Sequence, residues 1–483
     1  MAETKRAAKN ERTLISISRK TFFQVTALLL GLLLLSIALT YAIPRGQFGV
    51  LPDGGTDYLS YTRRDDLSGI PLYQGLLAPL LVFFSSDGLT LAMLSLFLFT
   101  ISAAFQVMED VGGIRALVGA VSERFRGRRR LLLVLVSFLF YCFGSFLGLF
   151  EEMLTMLPIV TALCVLVGYD SFTGFLCSIL ACGFGFASAI TNPFTVLLAC
   201  QIVGADPTEH LWFRLLIFAV MFALLMLFLF SYLRRLERDP GSSLTRAHDE
   251  ALRAASAPAA ETEERPAGER RRLVTVYAVF LLAALALILI SSLSPVLRGY
   301  SVPILIAYFL IFGIAAGALV ARDLRYVLRS FLRGLGGALP TLVFIALAAS
   351  IKYVFDRGAV LPTIVSAING TIEGHSPAAV ALTIYLIVLL LEFFISSSTA
   401  KAILVMGLLA MVDTGLTKPM LVLLYTFADG YTNVLFPTSP VLLIGLSMIG
   451  LDHFAWVRKT APLFLVNFLL VLAFIVLGIA VGY

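Results

Sequence analysis

The sequence predicts an all-α, polytopic membrane protein built from two inverted repeats, each holding a re-entrant hairpin and a broken transmembrane helix. Three observations carry the prediction. Apolar runs occupy most of the chain, basic residues gather in loops that fall on one side of a membrane, and one polar pattern, F-A-x-x-x-T-N, recurs inside two of the longest runs. Hydrophobic residues make up 59% of the 483 positions and charged residues only 14%, whereas soluble domains carry roughly 25% charged residues. That balance excludes a soluble fold.

Residues 1–20 are basic and are expected on the cytoplasmic side. The apolar run 21–43 behind them is too long for a signal peptide and lacks an A-x-A cleavage site, so it reads as a retained transmembrane helix. It opens a first membrane repeat over 21–233, whose further runs lie near 88–108, 131–150, 171–204 and 211–233. A linker over 234–272, rich in Arg, Glu, Ala and Pro, is expected to be a flexible cytoplasmic connection. A connecting transmembrane helix is expected within 273–301, from the run 273–292. The second, inverted repeat follows over 302–483, with runs near 302–320, 338–355, 377–395, 419–450 and 461–481.

These runs suit a hydrocarbon layer of about 30 Å. Two shorter runs, 153–168 and 401–413, make rods of only about 24 and 20 Å at 1.5 Å per residue. They read as return arms, giving re-entrant hairpins over about 131–168 and 377–413, with broken helices over about 171–204 and 419–450. Segments 109–126 and 322–334 mix charges with apolar residues at helical spacing, as helices lying in the membrane interface do. Lysine and arginine then orient the chain. The N-terminus, ERFRGRRR (123–130), the linker, RDLRYVLRSFLR (322–333) and WVRK (456–459) all fall on the cytoplasmic side if both hairpins are re-entrant, which puts the C-terminus on the periplasmic or extracellular side. Two full crossings in place of each hairpin would keep the same parity, so charge alone does not choose between them.

The repeat is legible in side chains. Phe186, Ala187, Thr191 and Asn192 match Phe427, Ala428, Thr432 and Asn433, and a proline follows each match before the apolar run resumes. Upstream, SAAFQVMEDVGG (102–113) resembles AASIKYVFDRGA (348–359). Inverted repeats whose broken helices meet at mid-membrane are the plan of secondary transporters, because freed backbone is tolerated at that depth only where it lines a cavity or is buried in protein. Asn192 before Pro193, and Ser439 before Pro440, are expected to cap a half-helix N-terminus. Such N-termini suit a carboxylate. Thr191, Asn192, Thr195, Thr432, Asn433, Thr438 and Ser439 are therefore candidate substrate ligands.

The hairpin tips add the remaining candidates. Glu151 and Glu152 stand between two apolar arms, where a charge at bilayer depth costs roughly 2.5–3.5 kcal/mol. They should face a cavity, a cation or a proton; a short external turn between two full crossings is the alternative. The second tip offers Ser396, Ser397, Ser398 and Thr399, with Lys401 just beyond. Asp429 stands where the first repeat has Ser188 and is a candidate for a proton or cation, as are Glu151, Glu152, Asn192 and Asn433; a sodium ion is expected near Ser397, Ser398 and Asn433 if sodium is used. Glu392 could pair with Lys401, which helix phase alone does not settle. Asp110 and Asp356 read as capping or solvated acids, and the five cysteines as buried free thiols. The chain has no Walker A loop, G-x-S-x-G or H-E-x-x-H, so no enzyme, no cofactor beyond a coupling Na+ or H+, and no nucleic-acid partner is expected.

Together, GSFLGLFEEMLTMLPIV, GFASAITNPFTV and the later SSSTAKA with GYTNVLFPTSP resemble the YfcC family, allied to the anaerobic C4-dicarboxylate carriers, over nearly the whole chain. The resemblance implies a bacterial inner-membrane secondary transporter, a homodimer, with a scaffold part and a transport part that moves as an elevator. Sodium-coupled dicarboxylate relatives carry S-N-T-type tips in both hairpins; here the tips read F-E-E-M and S-S-S-T, which argues against two-sodium symport. The expected substrate is a small carboxylate-bearing solute, foremost a basic amino acid taken by exchange or ion-coupled uptake. A proton- or sodium-coupled C4-dicarboxylate or short-chain carboxylate is the alternative.

Overall fold

The computed structural model describes residues 19–52, 54–64, 69–125, 127–250, 266–294, 296–297, 300–367, 375–395 and 397–483. Apolar composition sets the lengths. Among the described residues, eight helices are long and apolar enough to cross a membrane, and they include α1 (Arg19–Ala42), α2 (Gly88–Asp110), α8 (Leu211–Arg238), α9 (Ala267–Leu293), α10 (Ser301–Ala321) and α17 (His453–Ala480). The expected interfacial segments form α3 (Gly113–Arg124) and α11 (Leu324–Gly337). The latter ends one residue before α12 (Leu339–Arg357), which carries Pro340 in its first turn, where the missing N–H costs nothing.

The remaining apolar helices are short. They are α5 (Leu157–Leu166), α6 (Ser171–Ala187), α7 (Pro193–Val203), α13 (Pro377–Glu392), α14 (Ser398–Met411), α15 (Lys418–Thr432) and α16 (Pro440–Met448), whereas α4 (Arg129–Cys142) continues as a π-helical turn over Phe143–Leu147 and is one of the eight long spans. Helices α4 and α5 are the arms of the first hairpin and α13 and α14 those of the second. Helices α6 with α7, and α15 with α16, are the halves of the two broken helices. The short halves lie in an apolar core: Phe172, Phe175 and Phe184 of α6, Tyr425 of α15 and Trp456 of α17 are fully buried.

Two features depart from the sequence reading. Strands β1 (Arg45–Val50) and β2 (Thr56–Arg64) pair as an antiparallel ribbon, with Phe48 opposite Tyr61. The ribbon rests on the second hairpin, where the Tyr58 hydroxyl donates to Ile403 O at 3.3 Å. The linker also begins as packed structure. Helix α8 runs to Arg238, and Thr245 and Asp249 behind it are buried. Asp249 accepts from Ser171 N at 3.1 Å and from Thr245 Oγ1 at 2.8 Å, so a linker carboxylate caps the N-terminus of α6, and burial pushes that carboxyl above the usual aspartate range. Residues 251–265 of the linker lie outside the described residues.

Candidate functional site

The first break arises because Pro193 has no N–H to continue a helix from α6, and Asn192 caps the restart: its Oδ1 accepts from Phe194 N at 2.9 Å. The backbone freed by the break is satisfied by the hairpin tip, not by solvent. Ile190 N donates to Ser145 O at 3.1 Å and to Ser145 Oγ at 3.2 Å, and Ser145 Oγ donates to Ser188 O at 3.0 Å. Asn192 Nδ2 donates to Gly144 O at 3.3 Å, and Thr191 Oγ1 to Phe146 O at 3.1 Å. Hairpin and break are therefore one hydrogen-bonded unit. Gly148 completes it: it adopts φ +68°, and a Cβ there would stand 2.3 Å from Asn192 Oδ1.

The second break is built differently. Ser439 caps α16 through Leu442 N at 3.4 Å, while Thr432 Oγ1 and Asn433 Nδ2 turn back onto their own helix, to Ala428 O at 2.9 Å and Asp429 O at 2.9 Å. Helices α6 and α15 meet where Gly430 lies against Ala187. The second halves then pack crosswise on the opposite hairpins: Gly445 of α16 faces Leu154 and Leu157 of the first hairpin, and α7 lies along α14.

At the second tip the structure settles the pairing of Glu392 with Lys401 and adds Asp429. Lys401 Nζ is in an ion pair with Glu392, lies 2.7 Å from Asp429 Oδ1 and donates to Ile395 O at 3.2 Å. Ser398 Oγ donates to Asp429 Oδ2 at 2.8 Å. Lys401 and Asp429 are 0% exposed and Glu392 2%.

The predicted ligands thus divide. Glu151, Thr191, Ser397 and Thr399 present open side chains, and Glu152 and Ser398 are half-buried. Asn192, Thr195, Thr432, Asn433, Thr438 and Ser439 are buried, and of these Asn192, Thr432, Asn433 and Ser439 spend their polar atoms on the breaks themselves. Ser396 lies outside the described residues. Sequence reasoning missed Ser145 and Tyr141, whose hydroxyl sits 2.5 Å from Ser188 Oγ, and also Arg214. This arginine is buried, donates to the Tyr483 hydroxyl at 2.8 Å, and lines a small cavity with Ser188 and Ala189. Its signal was a lone charge at the start of an apolar run, beside a break only the fold brings near.

Among the described residues, eight helices long and apolar enough to cross a membrane mark a multi-pass, helical membrane protein, and a family match places it among transporters. The family model for DcuC, the C4-dicarboxylate anaerobic carrier, matches residues 84–480, and the chain belongs to that family. It is similar to YfcC of Escherichia coli (strain K12), whose name assigns it provisionally to basic amino acid antiport, at 26% identity over 383 residues, 76% of this chain and 74% of the relative. It is also similar, at 23% identity over 371 residues, 76% of this chain and 71% of the relative, to an uncharacterized protein of Haemophilus influenzae (strain ATCC 51907 / DSM 11121 / KW20 / Rd). The resemblance read from the motifs is borne out. Among solved structures, the YdaH transporter of Alcanivorax borkumensis aligns with 95% of this chain and 99% of its own, at TM-score 0.45 and 15% identity. MtrF of Neisseria gonorrhoeae, described within a class of antimetabolite efflux pumps, aligns with 93% of this chain and 94% of its own at the same score and identity.

Proposed function

We propose that the chain is a secondary active transporter of an amino acid with a cationic side chain, moved by exchange or ion-coupled uptake through alternating access. The observation that carries the proposal is the first hairpin tip. Glu151 and Glu152 stand together there, open or half-buried, and neither is paired with a cation among the described residues, whereas the acids of the second tip already hold Lys401. An uncompensated acidic pair between apolar arms calls for a mobile cation. The solute's carboxylate would meet Ser397, Thr399 and the N-terminus of α7, and its cationic end the two glutamates.

Counterflow into proteoliposomes loaded with unlabelled arginine tests this against labelled arginine and labelled succinate. Arginine counterflow is expected, and Glu152→Gln is expected to lower it at least tenfold, the equivalent of about 1.4 kcal/mol. Succinate counterflow alone would overturn the reading. It would favour the second one, a C4-dicarboxylate substrate, which the family and the buried Arg214 support.

In this proposal the two repeats are inverted in the inner membrane, with the N-terminus cytoplasmic and the C-terminus on the opposite side. Both hairpins and both broken helices form a transport part that moves against a scaffold, with α3 and α11 as arms, and two copies assemble as a dimer. Single cysteines replacing Glu151 and Ser397, in a chain cleared of native cysteines, are expected to react with a membrane-impermeant thiol reagent from opposite sides. Reaction of both from one side in every condition would sink the inverted arrangement.

A further inference from the structure

The charge count at the second hairpin does not close. Two carboxylates, Glu392 and Asp429, share one ammonium, Lys401, and all three are at most 2% exposed. Neither acid is paired with a second lysine, arginine or histidine among the described residues; Lys401 is the cation both hold. A surplus negative charge buried in a membrane protein is costly, and such a group takes up a proton or a cation.

Geometry chooses between them. A metal cation needs a shell of oxygens, and here Ile395 O at 3.2 Å, Asp429 Oδ1 at 2.7 Å and Glu392 are already turned to Lys401 Nζ. Asp429 Oδ2 is taken by the Ser398 hydroxyl at 2.8 Å. The ammonium is a cation tethered in the place a free one would use. A proton needs no such shell. Among the described residues, Tyr425 of α15 is the further titratable side chain facing the cluster, and its hydroxyl donates to Ser398 O.

We infer that Glu392, Lys401 and Asp429 form a proton-binding site, in which Lys401 is a built-in counter-cation and the surplus carboxylate carries one proton per transport cycle. The placement couples that proton to movement. Glu392 ends α13, Lys401 lies in α14 and Asp429 in α15, so the cluster ties both hairpin arms to the broken helix. Protonating one carboxylate removes one of the two ties on Lys401 and frees an arm; deprotonation draws it back.

This presupposes the transport function proposed above, though not the identity of the solute. The test uses proteoliposomes with membrane potential clamped to zero, loaded with a pH-sensitive dye, and supplied with whichever of labelled arginine or succinate shows counterflow. One proton per solute predicts about tenfold accumulation for an inward gradient of one pH unit, with internal acidification that depends on solute. Glu392→Gln leaves a neutral Lys401–Asp429 pair and is expected to lose the gradient response, so that accumulation with and without it agrees. Asp429→Asn leaves the Lys401–Glu392 pair and serves the same purpose if the first variant fails to fold. Counterflow by the wild-type protein with no solute-dependent acidification, or accumulation driven by sodium and indifferent to pH, would overturn the inference. Absence of counterflow with both solutes would instead count against the proposed substrates.

Discussion

Replacing Lys401 by methionine is expected to destabilise the folded protein by about 3–5 kcal/mol, the range for removing one partner of a buried ion pair. Lys401 is 0% exposed and is the cation that both Glu392 and Asp429 hold. Its loss leaves two like charges in one apolar pocket, with the Ser398 hydroxyl as the donor to Asp429. Methionine keeps the stem's bulk, so the effect reports charge and not a cavity. The double variant Lys401→Met with Glu392→Gln should recover part of the loss, because a lone acid can stay protonated. Thermal unfolding in detergent checks both. A single variant that melts with the wild type, or a double variant less stable than the single, would show that the cluster does not hold the hairpin.

How far the sequence foretold this arrangement depends on the range of the interaction. Hydropathy acts over consecutive residues, so the apolar runs, the short return arms and the amphipathic helices 113–124 and 324–337 were all legible. So were the caps at Asn192 and Ser439, because an Asn or Ser directly before proline is a local signal. Helix α17 begins at His453, not near 461, because basic residues end an apolar run without ending a helix. The β-ribbon had its own local signal, aromatic and β-branched residues (Phe48, Val50, Tyr58, Tyr61, Thr62) on either side of a turn-rich segment, hidden under the expectation of helices throughout. What stayed illegible is long-range. Ser145 locking Ile190, Asp249 capping α6 and Asp429 reaching Lys401 join residues on separate elements, and no periodicity announces them. Glu392 and Lys401 lie on two arms separated by a turn, so their pairing could be raised but not decided from helix phase.

Gly430→Ala is expected to reduce transport at least tenfold with a stability loss of about 1–3 kcal/mol, the usual range for overpacking a dense core. Helices α6 and α15 cross at this glycine, and an added Cβ would stand 2.1 Å from Ala187 Cα and 2.4 Å from Ala187 N. Backbone atoms cannot swing aside as a side-chain end can, so the helices must part by roughly 1 Å or more. Ala187 immediately precedes the first break, and the residues that follow it are tied to the first hairpin through Ser145. A wedge at the crossing therefore moves the first tip, with Glu151 and Glu152, relative to the second. Gly336→Ala is the matched control: a Cβ there meets nothing within 4 Å, and alanine in α11 should be neutral or stabilising by about 0.5–1 kcal/mol. Counterflow by the two variants at equal protein in the membrane makes the comparison. Equal rates would mean that the crossing at Gly430 does not set the distance between the two tips, and that the site tolerates a spacing the packed structure does not show.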